Sequence, residues 1–333
     1  DDEWREFRIA AWLHDCGKIT TPEFVVDKGT KLETNYNRIH EVRTRFEILW
    51  RDAEIAALHQ LSQFPQQQQT IKTQLQARKE ELQQQFDKVA TSNIGSEFMS
   101  DEAIADLTQI GQQTWMRHFD DTKGLSSFER TRYASDSVTL PVREALLADK
   151  TSHIIRRERP YRLDPKFGIN MDVPDYLYNL GEVYNLSIRR GTLTAEERFK
   201  INEHMISGIK MLDNIPFPDN LKRVPRYAST HHETMKGTGY PRKLSRSELS
   251  IPERILALSD IFEALTSADR PSKQAKTLKQ TMDIMYYMVI DEHLDKEVFQ
   301  LFIESEIYLK YAQKHLSSEQ LDDVDIDQYK FPD

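Results

Sequence analysis

One stretch limits what this chain can fold into more than any other: His231-His232-Glu233-Thr234-Met235-Lys236-Gly237-Thr238-Gly239-Tyr240-Pro241. Two adjacent histidines and an acid run into a Gly-Thr-Gly-Tyr-Pro turn. His14-Asp15-Cys16-Gly17-Lys18 carries the same kind of chemistry more than 200 residues earlier, and Asp260 follows inside an apolar run. Neutral imidazole and carboxylate ligate divalent transition metals, and a carboxylate can bridge two of them. A fold that uses these groups together must draw remote parts of the chain to one point.

Composition says what kind of fold would do it. Only 11 of 333 residues are Gly, 30% are charged and 38% hydrophobic, which suits amphipathic helices better than strands and turns. The length allows one large or two ordinary domains. A net charge of -9 and a pI near 5.7 argue against a nucleic-acid polymer as partner, which would need a basic face. A small anionic substrate stays open, because metals and a few local cations can hold it. No apolar run approaches the roughly 18 residues of a membrane-spanning helix. Asp1-Asp2-Glu3-Trp4 has no signal-peptide pattern and no initiator Met, so a fragment of a longer protein is expected. The single cysteine, Cys16, excludes an internal disulfide framework and fits a reducing cytoplasm.

Trp4, Phe7, Ile9, Ala11, Trp12 and Leu13 predict a helix over residues 2–15 that ends in His14-Asp15, with Gly17 as its stop. Lys18 adds a cation one turn away, suited to a phosphate oxygen. Val42, Phe46, Leu49 and Ala53 form a narrow seam, and after a break at Phe64-Pro65 it continues through Ile71, Leu75, Leu82, Phe86 and Val89. With Gln, Lys and Glu around it, that seam predicts an antiparallel helical hairpin. Residues 91–180 are less regular and punctuated by prolines; Arg156, Arg157 and Arg159 read as a solvated basic face. Thr194 and Glu197 make a capping box for a helix that carries His204 and stops at Pro216. A further helix from about Asp219 to Thr230 leads into His231-His232, and Gly237 and Gly239 free the next turn for positive φ and close backbone approach. The run from Arg254 to Thr266 is apolar nearly all round, so its helix would bury Asp260, and a buried carboxylate needs a charged or metal partner. Arg270 and Lys273 lie in the loop beyond, packing helices follow near 277–290 and 296–315, and the tail from Ser317 is acidic and irregular.

Six ligand candidates result: His14, Asp15, His204, His231, His232 and Asp260. His40 competes with His204, because Gly29-Thr30 to His40 partly repeats Gly191-Thr192 to His204, but His204 leads on in register to His231. Histidine and carboxylate without a thiolate suit Fe, Mn, Zn, Co or Ni. More than four such ligands point to at least two metals, and a close pair would activate a hydroxide for in-line attack on a phosphodiester. Cys16 is expected to pack rather than to ligate.

These residues resemble the HD-GYP family, a branch of the HD phosphohydrolase superfamily. The resemblance rests on His14-Asp15 with Gly17-Lys18, helix residue His204, His231-His232-Glu233 with Gly239-Tyr240-Pro241, and Asp260. It implies an all-α protein: an HD-superfamily helical bundle from residues 1–34 and 181–318, a long helical insertion over 35–180 and an acidic tail over 319–333. It implies two or three divalent metal ions, iron or manganese first, with zinc, nickel or cobalt as alternatives. The implied activity is metal-dependent hydrolysis of a cyclic dinucleotide, cyclic di-GMP first, to linear pGpG or GMP. The alternatives are hydrolysis of 3',3'-cyclic GMP-AMP, or binding without turnover by an interaction module. Asp15 would bridge metals and act with Lys18 in catalysis, while Lys18, Arg270, Lys273 and Tyr240 would meet the substrate. Lys236 and Ser272 stand where the family has Asp and Tyr, and the family's Glu and His upstream of the His-Asp pair have no counterpart here. An upstream sensor or a diguanylate cyclase as partner, a homodimer through the helical insertion and a cytoplasmic location complete the expectations.

Overall fold

The computed structural model describes residues 2–95, 98–133, 139–267 and 275–331. In chain order its helices are α1 (Asp2–Leu13), α2 (Glu23–Val26), α3 (Ile39–Gln63), α4 (Gln68–Ile94), α5 (Asp101–Gly111), α6 (Ser127–Arg130), α7 (Glu182–Leu186), α8 (Ala195–Asp213), α9 (Val224–Ala228), α10 (Ile251–Thr266), α11 (Leu278–Ile290), α12 (Lys296–Glu304) and α13 (Ile307–His315). Among the described residues the strands are short antiparallel pairs, β1 (Thr114–Arg117) with β2 (Val142–Ala145) and β3 (Ile154–Ile155) with β4 (Tyr178–Asn179). The fold is all-α, as the composition requires.

The chain forms two compact units. One comprises Lys28–Pro160 and Pro174–Arg198. The predicted hairpin is there: α3 and α4 pair along the seam, with Phe46 and Phe86 ring centres 5.4 Å apart and Leu49, Leu82 and Val89 buried. Pro65 opens the turn between them because its fixed φ suits a first helical position. Charged groups do the long-range tying. Lys28 and Glu197, at most 2% exposed, pair at 2.7 Å, and Glu197 also accepts the Thr194 N–H at 2.9 Å while its own N–H donates to Thr194 Oγ1 at 3.2 Å. The predicted capping box is therefore also one half of a buried ion pair. Arg45 holds Glu182 through two parallel bonds of 2.8 and 2.9 Å, the strong fork geometry.

The other unit comprises Asp1–Asp27, Tyr161–Val173 and Phe199–Asp333. Ala10 of α1 packs with Leu212, Val224, Tyr227 and Ala228. Glu6, 2% exposed, accepts from the Arg223 backbone N–H at 2.5 Å and its Nε at 2.7 Å, so a buried acid ties α1 to the start of α9. A second core joins α10 to α13 through Leu258, Phe262, Met282, Met285, Phe299 and Ile303. The tail, irregular in sequence, packs here too: Tyr329 is buried and donates to Asp283 at 2.6 Å.

Three helix boundaries differ from expectation. α1 ends at Leu13, and His14-Asp15 occupy the turn after it. The helix expected over 219–230 is a 3-10 turn (Asp219–Leu221) followed by five-residue α9, because Pro225 has no N–H for a continuing helix and its ring would meet the preceding turn. The helix expected over 296–315 breaks into α12 and α13 at Glu306, whose φ is 54°.

Candidate metal centre

Four elements of one unit deliver the six ligand candidates. His14 and Asp15 follow α1, His204 lies within α8, His231 and His232 follow α9, and Asp260 lies within α10. Close backbone approach makes this possible. A Cβ on Gly17 would stand 1.9 Å from the His204 carbonyl oxygen and 2.6 Å from the Gly208 nitrogen, so only glycine lets the His-Asp turn lie against α8. Gly17 is thus a contact point rather than the helix stop its sequence suggested.

Three of the histidines are aimed by one device. Nδ1 of His14, His204 and His231 lies 2.6, 2.6 and 3.1 Å from the carbonyl oxygen three residues earlier, of Ala11, Ile201 and Ala228 respectively. That bond places the proton on Nδ1 and leaves Nε2 as the free donor atom. The Nε2 atoms converge on carboxylates: His14 lies 3.2 Å from Asp15 and 3.4 Å from Asp260, His204 3.5 Å from Asp15, and His231 3.8 Å from Asp15. Lys18 pairs with Asp15 Oδ2. His231 and His232 have ring centres 4.2 Å apart, and His232 stacks on Tyr240 at 4.6 Å.

The donor atoms suit a metal. Asp15 Oδ1, His204 Nε2 and His231 Nε2 are buried without a hydrogen-bond partner among the described residues, a state proteins rarely leave unexplained. His204, His231 and His232 form one three-donor group and His14, Asp15 and His231 another, each with donor atoms within 4.8 Å of one another. The electrostatics point the same way. Burial lowers His204; burial also lowers His231 to about 4, and burial, with the unfavourable closeness of His231 and His204 to any proton added, lowers His232 to about 2, so these imidazoles are neutral, the form that ligates. At His14 burial is outweighed by hydrogen bonds to Asp15 and Asp260, which raise it to about 10 in the metal-free cluster. At Asp15 burial is likewise overcome, by bonds from His14 and Lys18 that hold the carboxyl well below the usual range. Asp260 is only partly buried, its side chain 16% exposed, because it faces this cluster rather than an apolar core.

His40 is exposed on α3 and bonded to Arg43 at 2.6 Å; His204 is the residue the fold brings to the cluster. Arg270 and Lys273 lie outside the described residues, as does Ser272. Lys236 is exposed, and its N–H donates to Glu292 at 2.9 Å. Cys16 packs beside the α1–α9 core, and burial with the Asp15 charge raises its thiol, against any role as thiolate.

Glu233 has a use the sequence reading did not assign. It is fully buried and accepts the N–H groups of Arg242 at 2.7 Å and Leu244 at 2.8 Å, stapling the turn that carries Tyr240. Within that turn Gly237 has φ 77°, whereas Gly239 is needed for approach: its Cβ would lie 2.4 Å from the His232 carbonyl oxygen. Asn170 donates to the Pro241 carbonyl at 2.7 Å, and Arg242 to that of Phe167 at 2.9 Å, so residues of the 161–173 segment brace the turn from outside. An acid directly before a glycine-rich turn with free N–H groups was the available signal.

Parts of the chain are similar to known proteins. The family of HD domains matches residues 141–298, a span that holds His204, His231, His232 and Asp260, while the fold supplies His14 and Asp15. A 3'3'-cGAMP-specific phosphodiesterase of Vibrio cholerae is 30% identical over 152 residues, 43% of this chain and 34% of that protein. A second such enzyme of Vibrio cholerae is 44% identical over 64 residues, 19% of this chain and 14% of that protein. A cyclic di-GMP phosphodiesterase of Thermotoga maritima is 34% identical over 107 residues, 31% of this chain and 28% of that protein. The matched part thus spans about a third or less of each of these relatives. Motifs, cluster and relatives coincide: residues 141–298 match the family of HD domains, and parts of the chain are similar to cyclic-dinucleotide phosphodiesterases.

Proposed function

We propose that this chain is a metal-dependent phosphodiesterase that hydrolyses a cyclic dinucleotide, cyclic di-GMP first, to linear pGpG or GMP. The observation that carries the reading is the set of buried donor atoms on Asp15, His204 and His231, unpartnered among the described residues, with His14, His232 and Asp260 around them. These six residues hold two or three divalent ions, iron or manganese by preference, with zinc, nickel or cobalt as alternatives. Bound there, the metals supply Lewis acidity and a deprotonated water at neutral pH.

The chain's own groups do the rest. Asp15 has one oxygen toward His204 and His231 and the other toward His14 and Lys18, so both of its oxygens would be available to hold the metals. Lys18, nearly half exposed, holds a phosphate oxygen. Tyr240, kept beside His232, offers an aromatic edge to the nucleotide. Arg270 and Lys273 are assigned to the remaining phosphate.

Two relatives named for 3'3'-cGAMP favour that dinucleotide as the second reading. The exposed Ile55, Leu58 and Phe64 near the hairpin tip support a homodimer through α3 and α4, testable by solution mass. An upstream sensor or a diguanylate cyclase is the proposed partner. No described helix is long and apolar enough to cross a membrane. The cytoplasm is the proposed location, supported by the single, unpaired Cys16.

The test is chromatography of products after incubation with each dinucleotide and Mn²⁺ or anaerobic Fe²⁺, beside Asp15→Ala. Linear dinucleotide or GMP from the chain and none from the variant is expected. Nucleotide binding without turnover by the metal-loaded chain would replace the enzyme with a binding module.

A further inference from the structure

His231 and His232 are neighbours in sequence, yet both rings reach one cluster, with centres 4.2 Å apart. Neither regular structure gives this arrangement. In a strand adjacent side chains point to opposite faces, and in a helix they do not face each other. The two histidines lie in a turn instead. Their backbone therefore has to be held by bonds other than a helix or sheet ladder.

Residue 242 grips that turn from both sides. Ahead of the histidines, Arg242 Nη1 donates to Ser229 Oγ at 2.9 Å and to the Ser229 carbonyl at 3.3 Å. Behind them, the Arg242 backbone N–H donates to Glu233 Oε1 at 2.7 Å. Lys243 then adopts φ 58°, the left-handed conformation that strains a residue with a side chain. The chain so turned brings the Leu244 N–H to the other Glu233 oxygen at 2.8 Å. Such strain persists where the surroundings over-determine it. The grip is also anchored outside the turn, because Arg242 Nε donates to the Phe167 carbonyl at 2.9 Å. The 161–173 segment that supplies this carbonyl reaches α8, the helix of His204. Lys166 pairs with Asp213 at 2.7 Å, and the Tyr161 ring meets Phe199 edge-on at 5.4 Å.

We propose that Arg242 is a positioning residue for the metal ligands His231 and His232. Its side chain fixes the backbone before the pair and its own N–H fixes the residue after it. Its guanidinium ties both to a segment that also braces the helix of His204. Only a planar fork does this: the point charge of a lysine cannot bond Phe167 and Ser229 together. The inference rests on the metal reading of the cluster and on no assumption about the substrate.

Co²⁺ is the probe, because its visible absorption reports the number and arrangement of its ligands. Titrated into the metal-free chain, it is expected to bind Arg242→Lys about tenfold more weakly than wild type, the usual cost of a lost outer partner, and with a changed spectrum. Ser229→Ala removes one acceptor and keeps the carbonyl, so it loses about twofold. It adds less than that to Arg242→Lys, since the two act through one contact. Tyr329→Phe breaks the tail's bond to Asp283, lowers the melting temperature and leaves Co²⁺ affinity and spectrum alone. Lower global stability does not imitate the result, because apparent affinity falls only with the fraction of molecules folded. Wild-type affinity and spectrum in Arg242→Lys overturn the positioning role, as does an equal loss in Tyr329→Phe, which would trace the effect to stability. If Arg242→Lys does not fold, Ser229→Ala decides, and wild-type affinity there overturns the role. A wild-type chain that takes up no Co²⁺ overturns the metal reading, and the positioning role with it.

Discussion

Gly17 and Gly208 face each other across the contact that joins the His-Asp turn to α8, and alanine should have opposite effects at the two positions. At Gly17 the new Cβ would lie 1.9 Å from the His204 carbonyl oxygen, 2.6 Å from the Gly208 nitrogen and 2.9 Å from the His204 carbonyl carbon. All three are backbone atoms and cannot rotate away. Relief requires the two segments to part by more than about 1 Å, an overpacking strain of about 1–3 kcal/mol. Asp15 and Lys18 flank Gly17, so they move with it, and the 3.5 Å between Asp15 and His204 opens. Metal–ligand distances tolerate only about 0.2 Å. Gly17→Ala is therefore expected to fold, to melt a few degrees lower, to lose metal on dialysis and to turn over about a hundredfold more slowly. At Gly208 the added Cβ meets Cys16 Sγ and the Gly17 nitrogen at 3.7 Å, ordinary contact. Gly208 is inside α8, where alanine should stabilise by about 0.5–1 kcal/mol and leave metal content alone. Thermal melting, metal analysis after dialysis and turnover on the two single variants decide the matter. Wild-type metal content in Gly17→Ala would refute the reasoning, as would metal loss in Gly208→Ala.

Other consequences can be read with simpler assays. Lys31 is 1% exposed and bonds the Leu186 carbonyl at 2.8 Å; burial lowers its amine from 10.5 to about 8. The unfolded chain keeps that proton to higher pH than the native one, so the penalty is complete below about pH 8 and is relieved as pH rises toward 10.5. Wild type should gain about 2 kcal/mol between about pH 7 and 9.5 relative to Lys31→Met in urea titrations, and parallel pH profiles would count against it. Glu233→Gln puts an N–H donor against one of the two backbone donors its carboxylate accepts. The unsatisfied group should cost about 2 kcal/mol, a fall in melting temperature of about 4–8 °C, and an unchanged melt would mean that Glu233 does not staple the turn.

How much of this could be read beforehand depended on whether the physics is local. The hairpin was legible because a seam of Val42, Phe46 and Leu49 answered by Leu82, Phe86 and Val89 is written in the spacing of each helix separately. The ligand candidates were legible because metal chemistry admits few residue types, and an aspartate inside the apolar run of α10 has no other reason to be there. Pairings between remote segments leave no such trace. Lys28 and Glu197 are 169 residues apart, and nothing around either shows that each neutralises the other. Tyr329 and Phe331 are too few to make a period in the tail, yet with the Gln320 amide bonded to the Thr266 carbonyl they suffice to pack it. Pro225 stands at the start of α9, and its one missing N–H outweighs the run of apolar residues that would otherwise extend the helix back to Asp219.

The histidines show where local and remote physics meet. His14, His204 and His231 come from three different helical turns, yet each bonds its Nδ1 to the carbonyl three residues back. In helical geometry that carbonyl lies on the face below the ring, so the tautomer follows from secondary structure alone. Each turn thus prepares a donor atom without knowledge of the others. What the turns cannot prepare is the distance between those atoms, which is set where Gly17 lets two backbones touch. The motif therefore carries two kinds of information: the histidines and aspartates specify the chemistry, and the glycine specifies the separation at which it can occur.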